Sequence, residues 1–205
     1  MKTGSYRTWL VLGLGLLCPQ ANRKGMAAKE PQPMITVRVL NQAGVPAKTL
    51  GKAERLAATI LEAAGIAITW LECPCLPTLG RHDFWLHLLK DRPPKMQGDT
   101  TGFAVLMPER DGAVSYAGVV WPAVEEVADG LESEVSNVLG ATVAHEIGHI
   151  LLGSKAHTPS GIMSSRLQRA HIEMAARKEL RFAPEQARRM QATVIEQVLA
   201  KRSNR

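Results

Sequence analysis

The run His145-Glu146-Ile147-Gly148-His149 constrains this chain more than any other feature. On an α-helix, residues four apart lie about 40° apart around the axis and one turn along it, so His145 and His149 aim imidazole nitrogens at one point. That supplies two ligands of a tetrahedral metal site. Glu146 projects to the same side at a different angle and reaches a water at the metal without ligating the metal itself. Leu139, Val143, Ile147 and Ile150 predict an apolar stripe turned away from the histidines, with one helix face buried and another facing a cleft.

The chain continues to Gly153 and His157, and then to Gly161-Ile162-Met163. A glycine after the second histidine lets the backbone leave the helix and turn back, so that a third histidine can complete the ligand set. This stretch, His145 to Met163, resembles the metzincin clan of zinc peptidases. Their pattern is HExxHxxGxxH, followed by a methionine in a tight turn beneath the metal. Here three residues separate His149 from Gly153 and three more separate Gly153 from His157, so the loop is two residues longer than the family pattern.

The resemblance implies one catalytic Zn2+ bound by His145, His149 and His157, with Glu146 as general base and Met163 as a hydrophobic floor that does not touch the metal. It implies a zinc-dependent endopeptidase acting on a peptide or protein substrate laid along an edge strand, here Gly102 to Met107. Glu173, on a later helical stretch, is the alternative third ligand. Some metzincins place a tyrosine near the metal after the methionine; this chain has none after Tyr116.

Upstream, strand and helix signals alternate. Met34 to Leu40 is a β-branched run ended by turn residues at 41–44, which predicts a first strand. From Thr49 to Ala64 the positions Leu50, Ala53, Ala57, Ile60, Leu61 and Ala64 recur at helical spacing, and Gly65 stands where a left-handed cap is wanted. Ile66 to Leu71 predicts a second strand, parallel to the first because a helix joins them. Asp83 to Lys90 predicts a third, stopped by Pro93 and Pro94. Gly102 to Met107 and Val114 to Trp121 predict two antiparallel neighbours across the turn-rich segment 108–112.

A long helix follows from about Ser133 to Leu152, then a loop through Ser165 and a helical stretch from Arg166 to Leu180. A last helix is opened by Pro184, with Ala187, Met190, Val194, Ile195 and Val198 as its buried stripe. The expected fold is α+β: a mixed, twisted sheet of about five strands, a backing helix, an active-site helix and a small helical C-terminal part. This element order is also the one the resemblance implies, which makes the expectation zincin-like.

With 205 residues, 45% apolar and 21% charged, the chain can bury one core without disulfides or repeats. Residues 29–205 therefore read as a single zinc-peptidase-like domain, with an upper part at 34–153 and a helical lower part at 154–205. Before it, Lys2 and Arg7 precede an apolar run from Trp9 to Leu17 that is too short to span a bilayer comfortably. Residues 1–28 read as a signal peptide, so the domain is expected to be exported, periplasmic or secreted, without stable membrane insertion afterwards, and as a monomer. Cys18 stands where a lipoprotein would be acylated, but Leu17 occupies the position that wants a small residue. Cys73 and Cys75 then remain as a local disulfide or two free thiols.

The net charge of +6 raises the question of nucleic acid. Arg166, Arg169, Arg177, Lys178, Arg181, Arg188 and Arg189 read as a solvated helix face, and no aromatic-basic interleaving accompanies them, so no nucleic-acid partner is expected. His82, His87 and His171 have no partner spacing that singles them out. Two other classes compete with the peptidase: a zinc-dependent nuclease and a non-catalytic zinc-stabilised binding domain. Glu146 weighs against the nuclease, because the bacterial RNA-processing family with a comparable helix has glycine at that position, and against the binding domain, because a structural zinc has no use for a base beside an open coordination position.

Overall fold

The computed structural model describes residues 32–72, 84–94, 96, 100–106, 115–131 and 133–203. The leader at 1–28 with Cys18, the Cys73 and Cys75 pair, His82 and the turn at 108–112 lie outside the described residues. All described residues belong to one compact unit, Gln32–Arg205. Among them no helix is long and apolar enough to cross a membrane.

The elements run β1 (Met34–Asn41), α1 (Ala47–Ala63), β2 (Ala67–Glu72), β3 (Phe84–Leu89), β4 (Gly102–Val105), β5 (Tyr116–Val120), α2 (Trp121–Gly130), α3 (Val135–Leu152), α4 (Arg169–Ala176) and α5 (Pro184–Ser203). The fold is α+β. Its one sheet has the order β2-β1-β3-β5-β4, with β4 at an edge. The pairings β1 with β2, β1 with β3 and β3 with β5 are parallel, and β4 with β5 is antiparallel.

Alternation decides which sheet face meets the helices. Ile35, Val37 and Val39 on β1, and Leu86 and Leu88 on β3, are buried in the common core. Their register, with Val37 opposite Phe84 and Val39 opposite Leu86, stacks one apolar row beside the next. Helix α1 lies against α3 and buries Leu50, Ala53, Ala57, Ile60 and Leu61, the face its spacing predicts. It ends through Gly65 at φ +78, where Ile66 N donates to Leu61 O at 3.0 Å, and this reversal feeds β2 directly.

Helix α3 departs from expectation. It is not a surface helix with one buried stripe: every residue from Val138 to Leu151 is buried. Packing by α1, α2, α4, α5, β4 and β5 makes it the central rod of the domain. Gly140 permits the close approach of α1, since a Cβ there would stand 2.7 Å from the Ala53 carbonyl oxygen.

Three further differences concern local patterns. Helix α2 follows β5 without a gap, with proline in its first turn and Ala123, Val124 and Ala128 buried, in a stretch where no helix is expected from the sequence. The stretch predicted helical from Arg166 to Leu180 is helical only over α4, because the turn before it is committed to the site described below. On α5, Met190 and Val194 are buried, but Ile195 is 48% exposed. Gln191 anchors this helix by donating to Ala64 O at 2.7 Å.

Candidate metal centre

The site is built where α3 stops. Gly153 caps the helix in the left-handed region at φ 59, ψ 29, and the turn it makes carries the next carbonyl back over the last helical turn. Ser154 O there accepts from His149 Nδ1 at 2.7 Å. Ile162 O accepts from His145 Nδ1, also at 2.7 Å. A carbonyl oxygen only accepts, so each Nδ1 carries the hydrogen and each Nε2 keeps its lone pair.

Those lone pairs converge. His149 Nε2 lies 3.0 Å from His145 Nε2 and 3.3 Å from His157 Nε2. Two unprotonated nitrogens at such distances have no proton to share, and the arrangement suits a cation between them. Tetrahedral zinc, with Zn–N bonds of about 2.0–2.1 Å, spaces its nitrogens about 3.3 Å apart, so the donor set fits a single small ion. Among the described residues this trio is the one group of three or more such side chains close enough to hold a metal. His145 and His149 are buried and His157 is exposed, which leaves the centre open on one side. Burial pushes the His145 imidazole down to about 4 and lowers His149 as well. Both are therefore neutral at pH 7, the form that binds metal.

The longer loop still closes. Thr158 N donates to Met163 O at 2.8 Å, Ile162 N to Arg181 O at 3.1 Å, and Ser164 N to Gly161 O at 3.2 Å, with Gly161 at φ +77. These bonds form a pinned turn at 161–164, and its Ile162 carbonyl is the group that orients His145. Met163 is fully buried beneath α3. A Cβ on Gly148 would stand 2.7 Å from Met163 Sδ and 2.6 Å from the Phe182 ring, so the turn seats here only because position 148 is glycine. Glu173, the alternative ligand, is exposed on α4 and does not belong to the cluster.

Glu146 faces the same opening. It is 5% exposed, and burial pushes its carboxyl up to about 8. A Cβ on Gly102 would stand 2.8 Å from Glu146 Oε1, so the edge strand β4 lies directly against the carboxylate. The Thr101 and Thr142 hydroxyls, 3.2 Å apart, tie the start of β4 to α3. Between β4 and the segment 164–169 runs a cleft of about 660 Å³, lined by His145, Glu146, His149 and His157 together with 100–104.

Several lining residues escaped sequence reasoning. Nothing in the spacing links Gly102 or Thr142 to Glu146, since only packing joins them. Arg166 and Arg169, read as part of a solvated helix face, border the cleft, as does Lys155. Of the other histidines, His87 is half-buried on β3 and stacks on Tyr116 with centroids 5.2 Å apart. His171 Nδ1 accepts from Gln168 N at 3.1 Å and caps α4. The chain matches no known family profile and no curated protein.

Proposed function

We propose that this chain is a zincin-like, zinc-dependent endopeptidase, exported by its leader. The observation that carries the reading is the placement of Glu146. A carboxylate stands beside three convergent Nε2 atoms, at the wall of a cleft whose other wall begins with an edge strand. A purely structural zinc would more often take a fourth protein ligand, whereas this set offers three and an opening. The sheet order, with an antiparallel edge strand next to the carboxylate, supports the same reading.

In this reading His145, His149 and His157 hold the ion, and Ile162 O and Ser154 O keep two of the rings in the binding tautomer. A zinc ion held there supplies Lewis acidity toward a peptide carbonyl and toward water. The free edge of β4 pairs with an extended substrate and sets the scissile carbonyl over the histidines. Glu146 takes a proton from the attacking water as the new C–O bond forms. It then gives that proton to the amine nitrogen as the C–N bond breaks. Without metal, burial keeps this carboxyl protonated at neutral pH; the charge of an ion held by the three histidines would lower it and leave a carboxylate able to accept the proton.

The test is zinc content and cleavage of a peptide library by the mature protein beside Glu146→Ala. The variant should keep its zinc and lose cleavage. Cleavage undiminished in Glu146→Ala, or zinc lost with it, would overturn the assignment of Glu146.

A further inference from the structure

The cleft runs past the metal centre onto helix α2, the helix that the sequence did not announce. Val127, Gly130 and Leu131, from the last turn of α2 and its C-cap, line it together with Thr142 on α3 and Leu167 after the Met163 turn. Only 132–134 separate Leu131 from the start of α3 at Val135. So short a link keeps this wall toward the first half of α3, away from its end at Gly153.

The wall is apolar. Val127 and Leu131 are one helical turn apart and share a face, and both, like Leu167, are half-buried against the core with their remaining surface at the cleft. Among the described lining residues, those from α2, from 100–104 and at position 142 carry no charge. The Thr101 and Thr142 hydroxyls are hydrogen-bonded to each other, and the Thr142 methyl is turned toward Gly102. Gly130 is exposed and adds no side chain to the wall; a Cβ there would meet nothing within 4 Å.

Resting on the peptidase reading, we propose that Val127, Leu131 and Leu167 form a subsite for a large apolar side chain of the substrate, close to the scissile bond, and that the open space at Gly130 sets the size accepted. Glu146 and Gly102 mark where that bond lies, and Thr142 stands one helical turn before Glu146. A turn advances about 5.4 Å and an extended segment about 3.4 Å per residue, so the side chain that meets Thr142 belongs to a residue within two of the scissile bond. One methylene in an apolar pocket discriminates by about 10- to 200-fold, and a subsite open on one side falls at the lower end of that range. A charged side chain would give up hydration at this wall without gaining a partner.

The experiment uses the zinc-loaded full chain and fluorogenic peptides that carry leucine, phenylalanine, alanine or aspartate in turn at each of the four central positions. Binding is read separately by anisotropy in a Glu146→Gln background. At one position leucine should exceed alanine by about tenfold in kcat/KM, and aspartate by more. Gly130→Leu fills the subsite and should bring the leucine-to-alanine ratio toward one. Leu131→Ala widens it and should move the preference to phenylalanine, while Glu125→Ala, exposed on α2 outside the cleft, leaves the ratio intact. Equal cleavage at every position, or a preference for aspartate, overturns the subsite and leaves the peptidase reading standing. A leucine preference that survives both Gly130→Leu and Leu131→Ala overturns the assignment to α2. Leucine-selective binding that is lost with Gly130→Leu, with no cleavage of any peptide by the unmutated chain, overturns the peptidase reading and keeps the subsite.

Discussion

Gly102 and Glu146 are packed so closely that the edge strand leaves no room for a methyl group between them. A Cβ at position 102 would stand 2.8 Å from Oε1 and 2.9 Å from Cγ of Glu146, and 2.9 Å from the Thr142 methyl. All three distances are below van der Waals contact, so either β4 or the carboxylate must move. A misplacement of about 1 Å at a catalytic group can cost about a hundredfold in rate. Gly102→Ala is therefore expected to lower kcat by ten- to a hundredfold at that order while zinc content stays full. Unchanged kcat in Gly102→Ala would show that the carboxylate is not held by this contact.

His157 joins the metal centre through a loop, and Glu173 lies outside it. Loss of an outer partner of a metal ligand costs about 10–100-fold in affinity, and loss of a direct ligand costs more. Zinc titration with a competing chelator should show His157→Ala weakened by more than about a hundredfold on that scale, and Glu173→Ala unchanged. The opposite ranking would move the third ligand to α4.

Two buried groups give the metal-free protein opposed pH dependences. His145 is held at about 4, below its ordinary 6.5, so the unfolded chain binds the proton more tightly and stability falls as pH drops from 6.5 toward 4. Glu146 is held at about 8, above its ordinary 4.5, so the folded state binds the proton more tightly. Its contribution is present below 4.5 and is lost as pH rises through 8. At pH 8 Glu146→Gln should raise the melting temperature of the metal-stripped protein, relieving a cost on the order of 4 kcal/mol. The gain should shrink steadily on acidification and vanish below pH 4.5. Calorimetry of both stripped proteins between pH 4 and pH 8 checks this, and a gain constant across that range would rule out a titrating Glu146.

The crossing of α1 and α3 predicts a contrast between two glycines. A Cβ on Gly140 would meet the Ala53 backbone oxygen at 2.7 Å, whereas one on Gly130 would meet nothing within 4 Å. Backbone cannot yield as a side-chain tip can, so Gly140→Ala should destabilise by about 1–3 kcal/mol through overpacking. Gly130→Ala, at the end of α2, should be neutral or stabilise by up to about 1 kcal/mol. Denaturant melts at the native metal content separate the two, and equal effects would contradict the close crossing.

Much of the fold was readable locally because alternation and helical spacing are short-range signals. The β1, α1, β2 unit and the stop of α3 at Gly153 follow from successive elements and their caps, and the antiparallel pairing of β4 with β5 from the turn-rich sequence between them. Helix α2 was missed because its signals, a proline in the first turn and apolar positions at 123, 124 and 128, follow the strand β5 without a turn to separate them. The stripe expected on α5 is wider than its buried face, which holds Met190 and Val194, while Ala187 and Val198 are half-buried and Ile195 is exposed. Periodicity locates a stripe but does not say how far a neighbour covers it.

The same division runs through the site. That His145 and His149 share one helix face follows from four-residue spacing alone, and the projection of Glu146 beside that face follows from its position one residue on. The arrival of His157 depended on a pinned turn of loop residues, with Ile162 O and Ser154 O setting the ring tautomers. Gly102 against Glu146, and the cations at 155, 166 and 169 around one cleft, belong to tertiary structure altogether. Local geometry repeats every few residues and is written into the chain, whereas contacts between distant segments depend on how whole elements pack, which residue spacing does not encode.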